Sequence, residues 1–141
     1  MTDKKIPSSL EVPESRLSRP ATPEYLPPET LDPVIYRELL KIRATLEKID
    51  GFPRGWCHLT AQQVAHELGL PTTGGHYHSP DSKLTYPHHW NTTHDGQYAI
   101  DLTHDQFDKK APAVTILPAN TPVLHERSYF APLKKRPTDE G

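Results

Sequence analysis

Proline limits what this chain can form more than any other residue. There are sixteen in 141 residues, about twice the usual share of roughly 5%. Each fixes φ and removes a backbone donor, so helix interiors and central strands must avoid it. The prolines are unevenly placed. Pro7, Pro13, Pro20, Pro23, Pro27, Pro28 and Pro33 crowd the first 34 residues, where Tyr25 is the only aromatic side chain and four Lys/Arg stand against six Asp/Glu. Such a segment buries too little apolar surface to offset the entropy of ordering it. This predicts a disordered or extended proline-rich arm over residues 1–31. The tail, residues 131–141 with Lys134, Lys135 and Arg136, reads as flexible for the same reason. Residues 32–130 are enough for one small core.

The charge balance narrows the function. Sixteen Lys+Arg face eighteen Asp+Glu, a net charge of -2, so there is no basic footprint and no nucleic-acid partner is expected. Lys109-Lys110 and the Lys134–Arg136 cluster read as solvated surface. No run of 18 apolar residues is present, so no membrane span is expected. The first twenty residues lack the apolar stretch of a secretory signal. The expectation is a cytoplasmic protein, with export by a signal-independent route left open. A single cysteine, Cys57, excludes an internal disulfide and any multi-cysteine zinc site.

Periodicity supplies the elements. Asp32-Pro33 has the form of an N-cap followed by Pro at the first helical position. Ile35, Leu39, Ile42, Leu46 and Ile49 then recur at steps of four and three, one apolar stripe of an amphipathic helix that Gly51 and Pro53 stop. Cys57, Ala61, Val64 and Leu68 predict a second helix from Cys57 to Leu68, ended by Gly69 and Pro71. After it come a short strand His76–His78, a polar loop from Pro80 to Pro87, and a hairpin. The hairpin joins His88–Thr92 to Gln97–Thr103 through His94-Asp95-Gly96. Ala113–Leu117 and Pro122–Leu124 add further strand. The order predicts an α+β domain of two N-terminal helices packed on a small antiparallel meander.

Cys57 stands at the start of the second helix, behind Gly55. Free N–H groups and partial positive charge at a helix start favour a thiolate and can hold an oxyanion. The alternative is a small buried hydrophobe. On a strand, His88 and Trp90 share one face and His89 takes the other; on the partner strand Ala99, Asp101 and Thr103 oppose Tyr98, Ile100 and Leu102. The second set should meet the core or the second helix. Asp101, a carboxylate in an apolar run, needs a partner such as a histidine one strand away, or else lies at the surface capping the next turn. Together Cys57, His88 and Asp101 can act as nucleophile, base and orienter.

Gly55-Trp56-Cys57 at a helix start, His88-His89-Trp90 on a strand and Ile100-Asp101-Leu102-Thr103 on the next resemble the transglutaminase-like branch of papain-fold cysteine enzymes. The run Asp101–Phe107 is similar to the Asp-x-Thr-x-x-Gln-Phe string of a compact bacterial subgroup. The likeness covers roughly residues 50 to 130. It implies a papain-like fold and thiol chemistry on amides: a protease, deamidase or transglutaminase-type activity without a cofactor, on a protein, peptide or other amide substrate. Its His-x-Trp pattern selects His88 over His89. No glutamine stands just before Cys57 to donate to an oxyanion, so the Cys57 N–H or the Trp90 indole would have to substitute. Trp56, Trp90, His89 and Gln106 are assigned to support of substrate or oxyanion. Trp56 and Trp90 equally suit core anchors, and Gln106 with Phe107 suits a buttress for the hairpin.

Nine histidines keep a zinc-dependent hydrolase in view, built on His76, His78 and His88, although no HExxH occurs and the cluster has no recognised spacing. His76, His78, His94 and His104 read as exposed loop or rim residues. Ahead of the zinc reading stands a catalytically dead papain-like module whose arm docks a partner in extended form. A short chain of this kind suits a bacterial or phage effector as well as a housekeeping enzyme.

Overall fold

The computed structural model describes residues 20–82 and 84–126. The expected tail lies outside the described residues, as does the arm up to residue 19. Helix α1 spans Pro33–Leu46. Its cap is the one the sequence predicts: Asp32 Oδ1 accepts the Val34 and Ile35 N–H groups at 2.8 and 3.3 Å. It stops before Ile49, where turns take over. Helix α2 spans Cys57–Leu68, and Gly69 closes it at φ 70°, its N–H donating to the Ala65 carbonyl. A non-glycine residue would be strained in that left-handed conformation.

Among the described residues five strands follow: β1 Thr72–His78, β2 Thr85–Thr92, β3 Tyr98–Asp101, β4 Thr115–Pro118 and β5 Leu124–Glu126. The sheet is curled and antiparallel in the order β4-β3-β2-β1-β5. The first four strands form the expected meander, and β5 returns to pair with β1 on the far edge. Two strands start earlier than the sequence suggests. Gly74 and Gly75 hide the first half of β1, because glycine is a poor strand former. Pro87 disguises the start of β2; it is tolerated there because the β2–β3 ladder holds only Asn91↔Ile100 and Thr92↔Ala99 and does not reach it.

Alternation along the strands builds a core on each face. Leu39 and Ile42 of α1 and Val64 of α2 pack with Ile100, Leu102 and Ile116, with Tyr98 against them. Asn91, 2% exposed, fastens β2 to this helical side by donating to the Ala61 carbonyl at 3.0 Å. The opposite face carries Tyr77, Trp90, Ala99, Leu117, Val123 and Leu124, and Tyr25 and Phe107 pack on it.

Tyr25 brings a correction. Residues 20–31, which the proline count places in the disordered arm, belong to the folded unit. The Leu26 N–H donates to the Ile116 carbonyl at 2.9 Å, Tyr25 Oη donates to Asp108, and Leu31 is buried in the helical core. Pro27 and Leu31 have extended backbones flanking a 3-10 turn at Pro28–Thr30. Prolines that fix an extended backbone lower the entropy lost on docking, and Tyr25, Leu26 and Leu31 pack their side chains on the two cores.

Candidate active site

The short β2–β3 ladder creates the site. Beyond Asn91 the two strands part. Continuing their register would set Trp90 across from Asp101 and His88 across from Thr103. His88 and Asp101 are thus diagonal neighbours on one face, within reach of two polar side chains. They meet: His88 Nε2 lies 2.7 Å from Asp101 Oδ2, with both side chains essentially out of contact with solvent. Facing a carboxylate, Nε2 must carry the proton, which leaves Nδ1 as the basic nitrogen.

Cys57 is the first residue of α2 and is half-buried. The chain reaches it through Gly55, at φ 79°, a backbone that favours glycine. The Trp56 cap makes no side-chain hydrogen bond to the helix start, so the capping side chain leaves the first N–H groups there uncovered. Burial alone would push the Cys57 thiol up. The nearness and charge of the His88 ring, with the His89 backbone N–H, outweigh it and bring the thiol below its ordinary value. Burial likewise opposes charge on His88, yet Asp101 and the thiol raise it to about 9. For Asp101, burial is again the opposing cause, and the two histidines hold it far below the carboxylate range. The three groups therefore favour a thiolate, an imidazolium and a carboxylate. His88 Nδ1 is buried and makes no well-aligned hydrogen bond, as is common in catalytic pairs before substrate binds.

The rest of the site is a set of supports. Phe107 meets the His88 ring edge-on at 4.8 Å, and Trp90 lies beside it at 5.8 Å. Trp90 is 3% exposed and is a core anchor. His89 turns its ring to His58 at 4.6 Å, while its N–H serves the thiol. Gln106 differs from the expected hairpin buttress: its Oε1 accepts the Gly55 N–H at 3.4 Å and so touches the cysteine loop. Trp56 contributes its carbonyl, which accepts the Thr60 N–H.

Two residues escaped the sequence reading. His104, expected at the surface, is 1% exposed, and its Nδ1 lies 2.9 Å from Asp101 Oδ2. The signal was the Asp-x-Thr-His string: the Asp101 side chain accepts the Thr103 N–H two residues on, which winds the chain into the 3-10 turn His104–Gln106. Arg43 of α1 is the second. Its guanidinium donates to the Leu102 carbonyl at 2.9 Å and to both Asp105 oxygens at 3.1 and 2.7 Å, pinning the segment that follows Asp101. Its place at the flank of the α1 apolar stripe was the available sign.

Protein-family models, curated proteins and solved structures give no match to this chain. The site's own geometry is what bears on function.

The expected zinc set does not assemble. Register places His88 with Gly75 and Tyr77 on one face of the sheet, and His76 and His78 on the other. His78 instead meets His125, ring nitrogens 3.2 Å apart. Among the described residues, the one group of three with metal-ligating atoms within 4.8 Å of one another is His88, Asp101 and His104. These atoms satisfy each other: each imidazole directs a protonated nitrogen at the carboxylate, where a metal would need a lone pair. Their burial also leaves no open position for a metal-bound water.

Proposed function

We propose that the chain is a thiol hydrolase or acyltransferase of papain/transglutaminase-like architecture, acting on a peptide bond, amide or carboxamide. The observation that carries this is the buried His88–Asp101 pair at 2.7 Å, coupled to a cysteine at an uncapped helix start. Cys57 passes its proton to His88 Nδ1 and the thiolate attacks the carbonyl carbon. Backbone N–H groups at the start of α2 receive the developing oxyanion. The His88 imidazolium then protonates the leaving amine as the C–N bond breaks, and a thioester to Cys57 remains. Water or a second amine, deprotonated by the same Nδ1, releases the acyl group and restores the thiol. Asp101 holds the ring in its Nε2–H tautomer throughout and compensates its charge.

The test is the rate of Cys57 alkylation by iodoacetamide against pH, in the full chain and in His88→Ala. The only thiol of the chain gives an unambiguous readout. Fast reaction with a midpoint well below the free value of ~8.5, lost in His88→Ala, supports the reading. Activity on amide substrates should then vanish in Cys57→Ser and survive a chelator. A thiol inert at every pH where the fold persists, or activity that a chelator removes, would overturn it.

A further inference from the structure

A buried carboxylate is costly unless its acceptor positions are filled. An ionised Asp offers about four, and Asp101 has all of them occupied. His88 Nε2 and His104 Nδ1 donate to Oδ2 at 2.7 and 2.9 Å; the Thr103 N–H and Oγ1–H donate to Oδ1 at 3.0 and 3.2 Å. Thr103 and His104 are local in sequence and His88 comes from another strand. The local donors therefore fix where the carboxylate points without a contact from another strand.

Resting on the function proposed above, we infer that His104 is a positioning residue for that reaction: its Nδ1–H holds the Asp101 carboxylate in the orientation and ionised form that let His88 activate Cys57. His104 moves no proton. Nδ1 keeps its hydrogen while the proton exchanged in catalysis travels between Cys57, His88 Nδ1 and the leaving amine. The ring has little freedom to do otherwise. Tyr25, Tyr77 and Phe107 meet it edge-on, with centroids at 5.7, 5.3 and 6.2 Å. The His104 carbonyl is tied by the Phe107 and Asp108 N–H groups at 2.9 and 3.2 Å. Its Nε2 is buried with no hydrogen-bond partner among the described residues. That fits the tautomer with hydrogen on Nδ1, because an orphaned N–H there would add its own desolvation cost of about 1–3 kcal/mol.

The cluster holds one full negative charge, on Asp101, between two imidazoles that share a single oxygen. Losing the His104 donor leaves the carboxylate free to rotate or to take up a proton, and either change weakens its hold on His88. The other titratable groups around the pair are Cys57, which acts through His88, Tyr25 and Tyr77, whose rings touch His104, and Asp108, which receives the Tyr25 hydroxyl. Tyr25 and Tyr77 are both raised by burial, so neither changes charge between pH 5 and 9. Asp108 is lowered despite burial, by its Tyr25 hydrogen bond, and stays ionised over that range.

The test is the pH profile of Cys57 alkylation in His104→Asn, His104→Gln and His104→Leu, each checked for folding by thermal melting. Asn carries an amide N–H near the Nδ1 position; Gln carries one near Nε2; Leu carries neither. His104→Asn should keep the wild-type midpoint and rate within about two-fold. His104→Gln and His104→Leu should move the midpoint toward ~8.5 and slow alkylation at pH 6.5 about ten-fold. A wild-type profile in folded Gln and Leu variants would make His104 a packing residue and overturn the inference while leaving the triad intact. A wild-type chain that alkylates as a free thiol would overturn the functional reading itself. Where Gln and Leu variants do not fold, imidazole nitrogen NMR on the intact chain decides. A neutral His104 ring with its hydrogen on Nδ1 supports the role, and a neutral ring with its hydrogen on Nε2 refutes it.

Discussion

Replacing Asp101 with asparagine keeps the size of the side chain and removes its charge. In the wild type His88 is raised from 6.5 to about 9; at 1.36 kcal/mol per unit, that is about 3 kcal/mol in favour of the imidazolium. Burial acts in the opposite direction, and the carboxylate is the largest favourable cause. In Asp101→Asn the imidazolium therefore loses its support, and His88 should become neutral near pH 7. The thiol then loses the charge that lowers it. A free thiol with pKa ~8.5 is about 1% ionised at pH 6.5, so a fully formed ion pair raises the thiolate population by up to about 100-fold. The weaker basicity of a stabilised thiolate trims the rate gain to about ten-fold. Asp101→Asn should accordingly alkylate about ten times more slowly at pH 6.5, with its midpoint displaced toward ~8.5, followed by mass spectrometry of the single modified cysteine. Imidazole NMR of the same variant should show His88 titrating below the wild-type value. An Asp101→Asn chain that folds and alkylates with the wild-type midpoint would refute the electrostatic reasoning, whatever its effect on stability.

Two other outcomes follow from the same geometry. In Cys57→Ser, where the thiol does not titrate, His88 contributes its full stability below ~6.5 and loses it as pH rises through the raised value. Asp101 contributes above ~3.9 and loses its share as pH falls through its depressed value. Urea unfolding should therefore find a maximum between about pH 4 and 6.5 and a decline toward pH 9, and a flat profile from 6.5 to 9.5 would count against a charged His88. Arg43→Met, which keeps the bulk at a residue 7% exposed but deletes the bonds to Leu102 and Asp105, should cost about 2–3 kcal/mol in the same assay. A loss under about 0.5 kcal/mol would mean that the pair behaves as a surface contact.

Much of the fold was legible because its signals are local. The Asp32 cap, the α1 stripe and the stop at Gly69 each depend on residues within a turn or two of one another, where spacing directly sets geometry. The facing of the hairpin strands was legible too, because side-chain alternation has a period of two: Ile100 and Leu102 reach the helical core, and Asp101 takes the face of Trp90 and His88. Glycine and proline misled where their usual meaning was overridden. Gly74-Gly75 lies inside β1 and Pro87 inside β2, since a strand paired on a neighbour can carry both.

The sequence alone determined the α+β order and the helix start that presents Cys57, and pointed to a histidine one strand away as the partner of Asp101; the fold brought His88 there and turned His89 to His58. Tertiary structure decided what lies between distant segments. It brought Tyr25 from the proline-rich stretch onto the second face of the sheet, and set Arg43 of α1 on the turn after Asp101. It also buried His104 as a further donor to Asp101 and sent His76 and His78 to the face away from His88. None of these has a periodic signature. A proline-rich strap is ordered only by the surface it covers, and a histidine reads as exposed or buried only once the carboxylate it serves and the rings that enclose it are in place.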